Sequence, residues 1–469
     1  MNTRPTPLTK PGRRFLLLSL LLALLLSLSA CGDSAGASGT AAIDSASLSA
    51  TPTPSGEQLT ATAEAALRLT EQASWPDLRG NTISIYMIGD ASSEYAQFST
   101  LPLIEAAQEM VAAINRDGGV FGARLAMQLL DSEGVLGKAV ADYESLLEDG
   151  AEISLLILHG VDVVDALYAR AAEDQVPVLA TYPSHQALYA PESGYVFSLM
   201  PTFEEQFAYF LDYLATNWQT VKPANAGDEI KIAYISWPDA FGQAAYTPQI
   251  QAYAEQVGVQ LVAAESFDYA IAAETATALL DALVAGANVI YTNTYAFGTA
   301  DLLNDLENFG LRENFVVAGP FYAIDQPLSD FLADPSYADG FLAPFPSAWW
   351  SETDNPAIQF ALQNLEDAEL GPESQSIARL LMLGSIDLVR HALQQAILEI
   401  GFANLDAQAV YQALTNVEGY QVLDGLMSVD FTGGRRSPYQ LQLRMVDGDD
   451  HSPIILQDFA PVPELPAIE

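Results

Sequence analysis

The chain of 469 residues has one cysteine and four histidines, and only 18 lysines and arginines against 60 acidic residues. One cysteine excludes an internal disulfide and a cysteine-rich metal site. His159, His185, His391 and His451 stand in no metal-ligand spacing with one another or with the cysteine. A formal charge of −42 excludes functions that need a positive surface, because nucleic acid and anionic lipid are both repelled. Also missing are G-x-S-x-G, G-x-x-x-x-G-K-[ST], H-E-x-x-H and a G-x-G-x-x-G after a strand. No pair of carboxylates is set up for acid–base work. Neither an enzyme nor a cofactor is expected. Asp447-Gly448-Asp449-Asp450 has the composition of a calcium loop without its continuation, and reads as an acidic hairpin turn.

The cysteine, Cys31, is explained by what precedes it. Arg4, Lys10, Arg13 and Arg14 form a positive head, and an apolar run without an acid follows from Phe15 to Leu28. That order is a secretory signal, and the run falls short of the about 20 apolar residues that span a bilayer. Leu28-Ser29-Ala30-Cys31 resembles the bacterial lipobox, which implies diacylglyceryl attachment to the Cys31 sulfur and cleavage before it. The competing reading is an ordinary signal or uncleaved anchor with an incidental cysteine. Loss of residues 1–30 would leave 14 basic against 60 acidic residues, a formal −46. Residues 31–79 read as a stalk. Gly, Ser, Ala, Thr and Pro dominate up to Gly56, and 57–73 has a short helical pattern. About 45 flexible residues span roughly 35–40 Å.

Half of the residues are hydrophobic and 17% are charged, so the remainder is globular, and its size predicts about two domains. Apolar runs at 82–89, 125–131, 153–160 and 177–181 read as strands, separated by helices at 101–119, 137–150 and 164–175. The pattern restarts with a helix at 203–218. Strands follow at 231–236, 259–267, 288–294, 315–319 and 340–346, with helices at 247–258, 274–286 and 299–310. Helices at 355–368 and 374–401 and a β-rich tail at 425–448 complete the chain. Strand–helix alternation predicts parallel sheets covered on both faces, and two such domains hold ligand between the carboxyl ends of their strands.

AAQEMVAAINRDGGVFGARLAMQLLDSEG (106–134) resembles the first helix–strand unit of the Leu/Ile/Val-binding family of ABC-transporter solute-binding proteins. The resemblance continues in order through 156–188, YVFSLMPTFEEQ (195–206), AYISWPDAFGQAA (233–245) and 429–448, covering about 80–450. It implies an α/β, two-lobe type I periplasmic-binding-protein fold, each lobe a mainly parallel sheet flanked by helices. Three interlobe crossings are expected near Met200-Pro201, Ala343–Pro346 and Ser437. Lobe 1 would be 80–201 plus 346–436, and lobe 2 would be 202–345 plus 437–469. The implied function is an exported, lipid-anchored, monomeric receptor that presents a small solute to ABC permease subunits. A ligand-sensing lipoprotein signalling through a membrane partner is the alternative.

In the family's amino-acid-binding members, lobe 1 holds the ligand carboxylate with N–H groups at a helix start and nearby hydroxyls. Here that helix start is Val161–Asp165, with Val164 at the family's serine position and Pro183-Ser184 as the second loop. The lobe-2 tyrosine matches Tyr295. The tyrosine of a "yG" pair becomes Phe241, and the acid that takes the ammonium becomes Phe321 in Gly319-Pro320-Phe321. Asp162, Asp165, Asp239 and Asp325 are candidate replacements for that acid. With Trp237 and Tyr95 added, the expected cleft is aromatic and suits an amide or hydrophobic carboxylate, because a buried ammonium without a counter-charge is costly.

Overall fold

The apolar runs become strands buried on both sides. In the computed structural model, which describes residues 75–466 apart from 94–95, 99, 191–193, 269–272, 326–327 and 450, β1 (Thr82–Gly89), β2 (Arg124–Asp131), β3 (Leu156–Leu158), β4 (Val178–Ala180) and β5 (Val196–Phe197) form one parallel sheet. Its order is β2-β1-β3-β4-β5, and β1 runs beside β2 in unbroken register from Thr82 opposite Arg124 to Gly89 opposite Asp131. Successive side chains of β1 divide between two cores, as period-two geometry requires. Ile85 and Met87 pack into the larger core, Tyr86 and Ile88 into the smaller one with Tyr143, Val164 and Leu167. The signal segment, Cys31, the stalk pattern at 57–73 and Tyr95 lie outside the described residues.

Gly118 and Gly119 end the helix Leu101–Arg116. Gly119 has φ +68°, and its N–H returns to the Ile114 carbonyl at 2.8 Å. A Cβ there would lie 2.0 Å from the Ala123 carbonyl oxygen, so glycine is required both by conformation and by space. Asn115 explains the Ile-Asn pair of the motif. Its side chain donates to the Leu125 carbonyl and accepts from the Leu125 N–H, each at 2.8 Å, pinning the helix to β2.

The second sheet contains β6 (Ile230–Ser236), β7 (Val259–Ser266), β8 (Val289–Tyr291), β9 (Val316–Ala318) and β10 (Leu342–Phe345), all parallel. Two antiparallel strands close one edge, and a separate hairpin precedes them. The hairpin is β11 (Tyr420–Val422) with β12 (Met427–Val429), and the edge strands are β13 (Gln440–Val446) and β14 (Pro453–Pro461). The sheet order is β14-β13-β10-β9-β8-β6-β7. The chain thus passes between the sheets three times: after β5, after β10 and before β13. Between the last two passages lies the 24-residue helix Ile377–Ile400, which packs on the helix Leu101–Arg116.

Four elements depart from the sequence expectation. The helix expected from 164 begins at Val161. The helix Ala407–Thr415 and β14 were not expected at all. The 425–448 tail divides, β12 pairing in the small hairpin and β13 in the second sheet. Strand β14 escaped the reading because it is an edge strand whose Ile454, Ile455, Leu456 and Phe459 remain 40–45% exposed, so no alternation marks it. Asp447 and Ser452 bracket the turn joining β13 to β14, with the Asp447 N–H bonded to the Ser452 carbonyl at 2.9 Å. Among the described residues no helix is long and apolar enough to cross a membrane.

Candidate functional site

Parallel strands deliver their carboxyl ends to one side of a sheet, and here the two sheets turn those ends toward each other. The loops after β3 and β4 carry His159 and Tyr182. The loops after β6, β8 and β9 carry Trp237 and Phe241, Tyr295, and Tyr322. Tyr182 is the junction. Its ring centroid lies 4.7 Å from His159, 5.7 Å from Phe241, 6.4 Å from Tyr295 and 5.0 Å from Tyr322. Phe241 stacks on Tyr295 at 4.4 Å, and Trp237 meets Tyr295 edge-on at 5.6 Å. Rings from both sheets therefore form one continuous aromatic layer, a geometry of offset and edge contacts that aromatic quadrupoles favour.

A cavity of about 180 Å³ opens on one side of this layer, lined among others by Tyr182, Tyr295, Tyr322, Asp325, Glu105 and Arg379. Arg379 is 2% exposed and pairs with Glu109 and, at 3.4 Å, with Glu105. Desolvation pushes Glu109 up, against the pull of the Arg379 charge. Asp325 accepts the Ile377 N–H at 2.7 Å, a carboxylate at a helix start, and this bond joins the loop after β9 to the helix Ile377–Ile400. His159 bonds through Nδ1 to the Thr181 hydroxyl at 2.8 Å, and burial pushes it down to about 4. The imidazole is neutral at pH 7 and acts as a packing ring. Phenols, carboxylates and one guanidinium can hold a small solute by hydrogen bonds and ring contact. Among the described residues no group of three or more His, Cys, Asp and Glu could hold a metal.

The sequence-nominated residues divide. Tyr295 lines the cavity, and Phe241 and Trp237 support it from behind. Ser184 lines a different cavity. There its hydroxyl donates to Asp165 and accepts the Ala187 N–H at 3.0 Å, capping the short helix His185–Tyr189. Pro183 is buried beside it. Two nominated residues lie in the core. Val164 is fully buried in the smaller core, and its N–H is spent on the Gly160 carbonyl at 3.0 Å. Val164 lies on the helix face that packs with Leu167 and Tyr168 into this core. Phe321 is also fully buried, packed on Phe345 and Tyr322. The short helical turn Phe321–Ile324 buries the phenylalanine and presents Tyr322 to the cavity instead. Of the four aspartates, Asp325 alone reaches the ring-lined cavity. Asp162 and Asp239 bond the N–H groups of Val163 and Gly242.

Sequence reasoning missed Tyr182, Tyr322 and Arg379. A one-residue shift in Thr181-Tyr182-Pro183-Ser184 favoured the small hydroxyl over the large ring. Arg379 did carry a signal, a lone cation near the start of the apolar helix IARLLMLGSIDLV.

A family model described as periplasmic binding protein matches residues 82–446. Among solved structures, a branched chain amino acid ABC transporter from Thermus thermophilus with bound valine aligns with TM-score 0.70 at 18% identity, over 82% of this chain and 97% of that one. A fatty acid ABC transporter substrate-binding protein from Thermomonospora curvata gives 0.65 at 18% identity, over 83% and 97%. An ABC transporter substrate-binding protein from Desulfitobacterium hafniense in complex with Leu gives 0.59 at 18%, over 80% and 100%. No curated protein matches the chain. At these identities the structures establish the fold, two α/β lobes facing across a cleft. With the family match spanning most of the folded chain, the protein belongs to the periplasmic binding protein family, whose members bind solutes and are not in general enzymes.

Proposed function

We propose that this protein is the solute-capturing component of an ABC importer, tethered outside the cytoplasmic membrane by lipid on Cys31 and delivering its solute to membrane permease subunits. In this reading lobe 1 is 80–201 plus 346–436 and lobe 2 is 202–345 plus 437–469. The solute is a small amide, carboxylate or amino-acid-like molecule held between Tyr182, Tyr295 and Tyr322, with Asp325 as the nearest counter-charge for any ammonium. The observation that carries the reading is the Tyr182 ring of the first lobe packed among Phe241, Tyr295 and Tyr322 of the second. A solute that enters there touches both lobes and favours their closure by hinge motion. Family membership and the lipobox-like Leu28–Cys31 support export and capture.

The test is a thermal-shift screen against amino acids, amides, short carboxylates and aromatic acids. A ligand at 100 times its dissociation constant adds about 2.7 kcal/mol of stability, a shift of a few degrees in a protein of this size. One chemical class should stabilise the protein, and Tyr295→Ala should abolish that response. A response that survives both Tyr295→Ala and Tyr182→Ala would place the solute elsewhere and refute the assignment.

A further inference from the structure

A second and larger cavity, of about 740 Å³, lies between the lobes, away from the rings' small cavity. Asp165, Ser184 and Gln186 form its first-lobe wall, Gln243 and Thr247 its second-lobe wall, and Glu204 comes from the start of the helix Phe203–Val221. Two of its polar groups are carboxyls, Asp165 and Glu204. Glu204 is 3% exposed, and its Oε2 has no hydrogen-bond partner. Gln186 donates one side-chain N–H to the Tyr168 hydroxyl at 3.0 Å, and the Gln243 amide donates to the Trp237 carbonyl at 2.7 Å and the Ser236 hydroxyl at 3.1 Å. Both side chains line the cavity. Ser184 spends its proton on Asp165. No lysine, arginine or histidine lines the space among the described residues.

A buried carboxyl oxygen without a partner is costly to keep, and a cavity lined by two carboxyls and no basic side chain favours a cationic ligand. We propose that this cavity binds an organic cation, a primary ammonium or guanidinium group, which Glu204 and Asp165 neutralise and the Gln186 and Gln243 carbonyls orient. Glu204 has no protein cation to lean on, so burial leaves it protonated in the free protein, and the arriving cation displaces that proton to solvent. The groups around it are Glu205 on its own helix, Asp165 across the cavity, the Tyr234 phenol, and His185, whose backbone N–H reaches Oε1 at 3.4 Å. Burial pushes His185 down to about 4, so its ring is neutral. Because both lobes supply walls, an occupant would also bias the lobes toward closure. This site is independent of the solute assigned to the aromatic layer.

Calorimetric titration of the purified full chain with 1,4-diaminobutane tests the assignment, with butyramide and butyrate as uncharged and anionic controls. The diamine should bind and the controls should not bind this cavity. Glu204→Gln and, at an exposed position, Asp165→Asn should each weaken the diamine by about 10- to 100-fold, the loss of a charge-assisted hydrogen bond. Tyr295→Ala should leave it nearly unchanged. If Glu204→Gln does not fold, Asp165→Asn carries the test alone. The proposal is overturned by absence of diamine binding at millimolar concentration. It is overturned equally by undiminished binding in the folded variants, or by loss of binding in Tyr295→Ala only, which would place the cation among the rings. Failure of the importer reading would appear separately, as silence toward every ring-site solute.

Discussion

Glu204 and Glu205 are adjacent carboxyl groups, 3% and 6% exposed, where the chain enters the second lobe. Burial pushes them up to about 8 and about 7 from an ordinary 4.5. This holds although Glu205 accepts the Thr202 N–H at 2.7 Å and the Ser437 hydroxyl at 2.9 Å. Above pH 4.5 the unfolded chain has lost both protons while the folded protein keeps them, so stability falls as pH rises through the two folded values. His159 and His185 act in the opposite sense. Burial pushes both down to about 4 from 6.5. The unfolded chain therefore binds more protons between those limits, and stability rises with pH until about 6.5, then stays level.

Below pH 6.5 the two pairs offset each other, and above it only the glutamates act. Between pH 6.5 and 8 the folded protein holds the Glu204 proton for about 1.5 further pH units and that of Glu205 for about half a unit. At 1.36 kcal/mol per unit this is a loss of about 2–3 kcal/mol. The thermal midpoint should fall by a few degrees from pH 6.5 to 8, read by circular dichroism in buffers of matched ionic strength. Glu204→Gln/Glu205→Gln should flatten the curve, because glutamine at the third helical position still closes the capping box with Thr202. A wild-type midpoint that is level or rising over this range, or an equal fall in the double variant, would refute the argument.

Gly298 sits against the indole of Trp237, and a Cβ there would lie 2.6–2.9 Å from three of its ring atoms. Gly298→Ala should cost about 1–3 kcal/mol by overpacking, and tryptophan emission should shift as the ring is displaced; unchanged emission and midpoint would show that the indole yields freely. Phe321→Ala should cost about 3–5 kcal/mol as a core deletion, measured by urea denaturation. A cost near zero would mean that the side chain faces open space.

The family pattern reached as far as local spacing carries. It named Tyr295, Phe241 and Trp237, which the structure gathers within one aromatic layer. It also named Val164 and Phe321, which packing turns inward. Within the helix Val161–Glu173 neighbouring residues are about 100° apart around the axis, so the exposed Asp165 and the buried Val164 face different ways. In the turn Phe321–Ile324 adjacent side chains point apart, and alignment alone does not say which of Phe321 and Tyr322 reaches the cleft. Strand β14 was invisible for a related reason: its apolar residues remain exposed at a sheet edge, and no buried face imposes a pattern on them.

The sequence by itself determined the alternation of parallel strands and helices in two successive units, since that is written in runs of apolar residues and in the Gly118-Gly119 stop. It also determined the absence of metal and catalytic spacings, and a surface of one sign. Only the tertiary structure decided that Tyr182 meets Tyr295 and Tyr322 between the two sheets, that Arg379 is buried beside Glu109, and that the Glu204 Oε2 ends without a partner beside a cavity lined by no basic side chain. Those groups are far apart in the chain. What joins them is the facing of two sets of strand ends, and that follows from how the chain crosses between the sheets, which no short stretch of residues encodes.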